Sequence, residues 1–182
     1  DETCRRMLST FRLYYSQLVN ALVEAGENKK ALTALDKVTE IVPDSTVPYG
    51  SDGIMFAQAY YRLGEKGKAE TLIGTIKGRI DANLNWFSRL KPAQLSNTMT
   101  DVIYNNINPL MFITRVYQQH DKEKYIVITD ELLQHAYRFY TTGVPYLGDL
   151  VLKEVTDGSV QGYYSTQPND SIGRATEEAI MQ

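Results

Sequence analysis

Few residues in this 182-residue chain are of types that perform covalent chemistry, and their spacing assigns them none. His120 and His135 are the only histidines, and neither stands in a pattern that a metal site or a general base requires. A helix turn explains the first and a helix surface the second. Cys4 is the single cysteine, so an internal disulfide is impossible and no metal-ligand spacing surrounds it. Carboxylates are many, yet no paired acidic motif stands out from solvated helix faces. A phosphate-cradling G-x-x-x-x-G-K-[ST] loop and a nucleophile elbow are both missing. The chain therefore reads as non-catalytic, with no cofactor and no metal.

Composition narrows the class further. A hydrophobic content of 43% is ordinary for a globular protein, and the length suffices for a sizeable core. The net charge of −3 and the scattered Lys and Arg give no support for nucleic-acid binding. No apolar run approaches the roughly 18 residues of a membrane span. Gly74-x-x-x-Gly78 has the spacing of a membrane helix contact, but Lys68, Lys77 and Arg79 around it favour a soluble helix. Position 1 is not Met and no signal peptide opens the chain, which suggests a piece of a longer protein.

The elements that hold these residues are helices. Tyr15, Leu18, Val19 and Leu22 fall at i, i+3, i+4 and i+7, one stripe of a 3.6-residue period. Ala25-Gly26 supplies a stop and Asn28 a cap for a second helix, whose apolar face of Ala31, Leu32, Leu35, Val38 and Ile41 ends at Pro43. The stretch from Pro43 to Pro48 is a turn-rich bridge, after which Ser51 or Asp52 can cap a helix running to Leu63. Beyond Gly64 a long helix is expected past Ile76 toward Leu90, with Gly74 and Gly78 kept for close packing of a neighbour. Asn108-Pro109 reads as a cap followed by proline at the first helical position. Leu110, Phe112, Ile113, Val116 and Tyr117 then mark an apolar face. Asp121 caps a last long helix through Tyr140, with Thr142-Gly143 as its stop.

These pairs are spaced regularly. From Gly26 the offsets run Ala31, Leu35, Val38 and Pro43; from Gly64 they run Ala69, Ile73 and Ile76. This pattern resembles the tetratricopeptide repeat, in which antiparallel helices meet through small residues. The glycines lie 38 residues apart against the usual period of about 34, with the extra length in the bridge. The expected fold is all-α, with TPR-like units at about 12–43, 50–90 and 106–142 forming a short right-handed superhelix over residues 1–156. The third unit is degenerate, since His120 and Tyr125 replace the glycine and the small residue after it. A further helix is expected over 146–155. Residues 157–182 read as an irregular tail, with Tyr163 and Tyr164 pinning it and Ser171 capping a short terminal helix.

The TPR resemblance implies a binding groove lined by the first helix of each pair. Transferred position by position, it names Ser16, Asn20 and Val23, then Ile54, Gln58, Tyr61 and Arg62, then Thr114 and Tyr117. Asn20 stands where peptide-carboxylate clamps place an asparagine, but Ser16 replaces their lysine, so that clamp is incomplete.

A second resemblance rests on Asp1-Glu2-Thr3-Cys4-Arg5-Arg6-Met7, Leu35-Asp36-Lys37, Pro43, Val47-Pro48-Tyr49 and Ala59-Tyr60-Tyr61. Over residues 1 to about 90 the chain is similar to the soluble C-terminal region of bacterial multi-pass membrane proteins of the domain of unknown function 2723 family, classed as protein O-mannosyltransferase-like. The resemblance implies an accessory, extracytoplasmic domain tethered by an upstream membrane region that would hold any glycosyl-transfer chemistry. Its partner would be a polypeptide or a glycosylation acceptor. The alternative is a glycan- or ligand-binding envelope domain that stacks sugars on some of the thirteen tyrosines. Asp44-Ser45-Thr46 and Asp170-Ser171-Ile172 resemble bacterial O-glycosylation acceptors, and Asn169-Asp170-Ser171 fits an N-glycosylation pattern. Turn and cap chemistry is the simpler account of the two Asp-Ser patterns.

Overall fold

Gly26 and Gly64 adopt φ angles of +76° and +83°, the left-handed region that L side chains rarely enter. Each closes the same turn. Gly26 N–H donates to Val23 O at 3.1 Å and Glu27 N–H to Leu22 O at 2.9 Å. Gly64 N–H donates to Tyr61 O at 3.1 Å and Glu65 N–H to Tyr60 O at 2.9 Å. These paired bonds are a Schellman motif, which satisfies carbonyls that a helix end leaves open.

The computed structural model describes residues 2–141 together with residues 148, 149 and 152. The chain is all-α, and no strand occurs among the described residues. Its helices are α1 (Glu2–Glu24), α2 (Asn28–Ile41), α3 (Ser51–Arg62), α4 (Lys66–Phe87), α5 (Pro92–Asn97), α6 (Met99–Val102), α7 (Asn108–His120) and α8 (Lys122–Thr141), with a π-helical turn at Ile103–Ile107. The helix expected over 146–155, the stop at Thr142-Gly143, the stretch 157–170 with Tyr163 and Tyr164, and the segment capped by Ser171 lie outside the described residues. Two compact units divide the chain, Asp1–Arg79 and Ile80–Gln182.

In the first unit, Val19 of α1, Ala31, Leu35 and Val38 of α2, Phe56, Ala57 and Tyr60 of α3, and Ala69, Ile73 and Ile76 of α4 are all buried and make up its core. The alanines at 31, 57 and 69 are fully buried, which lets helix backbones approach closely. Gly53 serves the same end, because a Cβ there would stand 2.6 Å from Tyr49 Cβ and 2.9 Å from Ile76 Cδ1. Several expected details change. Leu18 and Ile41 point to solvent, and Arg12, Ser16 and Val19 form the buried stripe of α1. Asn28 is the first helical residue and not a cap, and Gly50 occupies the cap position of α3, its N–H donating to Asp52 Oδ1 at 2.8 Å.

In the second unit, the expected fresh start at Asn108-Pro109 is instead a continuation. The π turn carries the chain from α6 into α7, and Asn108 N–H reaches back five residues to Ile103 O. A wider turn relieves the clash between a proline ring and the carbonyl before it, so Pro109 sits inside a helical run. The buried Asn106 serves this turn, donating to Asp101 O at 3.0 Å and accepting from Asn83 Nδ2 at 2.9 Å. Asp121 caps α8 as expected, its Oδ1 accepting from Lys124 N–H at 3.2 Å. Tyr125, Ile128, Leu132, Leu133, Ala136 and Phe139 face inward, while Ile126 does not. His135 also faces inward, with Nε2 3.7 Å from Asp81 Oδ1, so the helix-surface reading of that residue is corrected.

Gly74 and Gly78 are exposed, and a Cβ on either would meet nothing within 4 Å. Close packing is therefore not the reason for them. Gly74→Ala should raise stability by about 1 kcal/mol through helix propensity, whereas Gly64→Val should lower it by about 2 kcal/mol through backbone strain alone. Urea unfolding of the two variants checks both signs, and destabilisation by Gly74→Ala would contradict the open environment.

Candidate functional site

A buried arginine positions the face on which the expected groove residues lie. Arg12 of α1 is fully buried and spends its guanidinium on the bridge between α2 and α3. Its Nε donates to Val42 O at 3.1 Å, and its Nη2 donates to Val42 O at 2.6 Å, Pro43 O at 3.0 Å and Val47 O at 2.7 Å. Its Nη1 pairs with Asp52 Oδ2 at 3.1 Å, and the group lies 4.2 Å from the Tyr49 ring centroid. A buried charge is tolerated only when paired and bonded in this way. Arg79 grips the other side of the bridge, donating to Asp44 and to Tyr49 O, the latter at 2.6 Å. Asp44 Oδ1 also accepts from Tyr49 N–H at 2.6 Å, so the aspartate of the Asp44-Ser45-Thr46 pattern is engaged in the turn itself.

A second polar cluster locks α2 to α3 and α4. Tyr60 Oη donates to Asp36 Oδ1 at 2.7 Å, and Lys68 Nζ reaches both oxygens of Asp36 at 2.7 Å. Burial raises the Asp36 pKa, but the bonds from Lys68 and Tyr60 and the Lys68 charge outweigh it, so the carboxyl sits below its ordinary value. Burial pushes the Tyr60 phenol above its usual range, the bond from Thr39 opposing and the Asp36 carboxylate reinforcing the shift. This phenol stays protonated and serves as a structural donor.

Arg12 and the bridge hold α1 against α3, and the accessible side of that contact carries part of the expected groove. Arg62 is exposed, and its Nη1 donates to Asn20 Oδ1 across the two helices at 3.4 Å. Val23, Gln58 and Tyr61 are half-buried around them. Tyr61 turns its hydroxyl to Glu70 of α4. Four expected groove residues are corrected to core positions. Ser16 is buried between α1 and α3, donating to Leu13 O at 2.7 Å and lying 3.9 Å from Met55 Sδ. Ile54 is fully buried. In the second unit Thr114 donates to Leu110 O at 2.9 Å, and Tyr117 is buried with Lys124 Nζ 5.7 Å from its ring centroid. Repeat spacing fixes which face of a helix a residue occupies but not how deeply that face is buried.

Arg12 is the residue that sequence reasoning missed. A signal existed, because Arg12, Ser16, Val19 and Val23 share one helical stripe at steps of four and three. An arginine on that stripe is a charge aimed at the core.

Among the described residues no group of three or more His, Cys, Asp or Glu could hold a metal ion. No described helix is long and apolar enough to cross a membrane. The chain matches no family model, no curated protein and no solved structure.

A carboxyl with a lowered folded pKa stabilises the fold above its unfolded value, near 4, and loses that contribution as pH falls through the folded value. The stability gap between the parent and Asp36→Asn should therefore stay level from pH 7 to about 5 and close below about pH 4. Urea midpoints across that range test it, and a gap that persists unchanged at pH 2 would refute the Lys68–Asp36–Tyr60 lock.

Proposed function

We propose that this chain is a TPR-like interaction module that holds a polypeptide across the accessible side of α1 and α3 and performs no catalysis. The observation that carries it is the Asn20–Arg62 pair. Arg62 is exposed, makes one long bond at 3.4 Å, and so retains donors for a peptide backbone or carboxylate. The matching Schellman turns at Gly26 and Gly64 and the buried alanines support a repeat relationship between the α1/α2 and α3/α4 pairs. The resemblance to the C-terminal region of O-mannosyltransferase-like membrane proteins supports attachment to a membrane region upstream, with the module on the extracytoplasmic side.

Peptides selected from an unbiased display library on the folded chain should include binders that lose tenfold or more in affinity, about 1.4 kcal/mol, with Arg62→Ala or Asn20→Ala. Melting temperatures should stay near that of the parent, because both side chains are at least partly accessible. If every selected peptide binds both variants as it binds the parent, the α1/α3 face is not the binding surface.

A further inference from the structure

On the side of α1 turned away from α3, a second row of residues has no place in either the core or the polar face. Cys4, Met7, Phe11, Tyr14, Leu18 and Ala21 follow steps of three and four, a period of 3.5, and all six are exposed. Met7 and Tyr14 keep 67% and 64% of their surface, Leu18 47%. Arg12 and Ser16 lie roughly opposite this row on the helix, so the seam is distinct from the Asn20–Arg62 face. The Phe11 and Tyr15 rings stand 4.7 Å apart and stiffen it.

An open depression lies on each side of the seam. One is lined by Thr3, Arg6, Met7, Thr10, Phe11 and Tyr14. The other lies against α2, where Tyr15 and Leu18 meet Lys29, Lys30, Thr33 and Lys37. Arg6, Lys29 and Lys37 make no ion pair among the described residues, and Lys30 pairs only with Glu27, at 3.2 Å. The rim of the seam thus carries an excess of positive charge, with Glu24 and Glu27 near its C-terminal end as its acidic residues.

We infer that this seam receives an amphipathic helix of a partner protein, apolar at a 3.5-residue period and acidic along its flanks. The period argues for a helix, because a ridge spaced this way with a hollow on each side accepts the side chains of another helix as knobs into holes. The rim argues for acidic flanks, since a second copy of this chain would set the same cations against them. A bilayer is a poorer complement to a single apolar row edged by Thr3, Thr10 and Thr33. The inference stands independently of the α1/α3 face, whose loss leaves the seam intact.

The probe is a fluorescent 21-residue helix with Leu at the a and d positions and Glu at e and g, alongside a twin carrying Lys at e and g. Anisotropy with the full chain should give at least tenfold tighter binding of the Glu helix. Leu18→Glu should weaken it at least tenfold without changing the circular dichroism or melting temperature, and Lys29→Glu with Lys37→Glu should reverse the preference between the twins. Arg62→Ala should bind the Glu helix as the parent does. Equal binding of the twins, or indifference to Leu18→Glu, would overturn the inference. So would a concentration-dependent dimer that Leu18→Glu abolishes, which assigns the face to a second copy. Binding to phosphatidylglycerol vesicles without binding to the Glu helix would assign it to a lipid surface and overturn the inference equally.

Discussion

The first unit depends on one buried guanidinium. Arg12 enters the core from α1 and bonds Val42, Pro43 and Val47 carbonyls while pairing with Asp52. The carbonyls at the end of α2 have no partner within their own helix, and a bridge with prolines at 43 and 48 cannot continue one. Five donors in a fixed planar fork meet that need in a way a lysine cannot. The result is a rigid link between the exit of α2 and the first turn of α3. Because Asp52 also accepts from Gly50 N–H, the start of α3 is fixed by the same charge pair.

From that constraint the two faces of α1 follow. Arg12 turned inward draws Ser16 and Val19 with it, which places α3 against the stripe and leaves Asn20 within reach of Arg62. The same rotation puts Met7, Tyr14 and Leu18 outward. An apolar stripe read from Tyr15, Leu18, Val19 and Leu22 is thus rotated by part of a turn, and only Val19 of the four is fully buried. One helix then offers a polar face and an apolar seam, and lies against α2 and α3 between them.

The parts of the fold legible in the sequence were those set by local backbone chemistry. Gly26 and Gly64 require a left-handed turn, Asp121 caps α8 with its own side chain, and the spacing of Ala31, Leu35 and Val38 marks the core face of α2. What escaped was set by contacts distant in sequence. Arg12 meets its acceptors thirty or more residues away, and no local pattern announces them. The π turn before Pro109 is similar, since the cost of the proline is absorbed by a change in helix period and by Asn106. Of the groove, Asn20, Val23, Gln58, Tyr61 and Arg62 remain at least partly accessible, while Ser16, Ile54, Thr114 and Tyr117 went to the interior because small or apolar side chains at helix contacts pack.

The most direct test of the Arg12 constraint is the unfolding free energy of Arg12→Lys, which keeps the charge and most of the volume but loses the fork. Pro43 O keeps its turn bonds from Thr46 and Val47 N–H, but the bonds to Val42 O and Val47 O cannot both be replaced, and leaving a buried carbonyl unpaired costs about 1–3 kcal/mol. Arg12→Lys should therefore lose about 3 kcal/mol or more in urea unfolding at neutral pH. A variant within about 0.5 kcal/mol of the parent would contradict the account, because the bridge would then hold α1 and α3 together without the guanidinium.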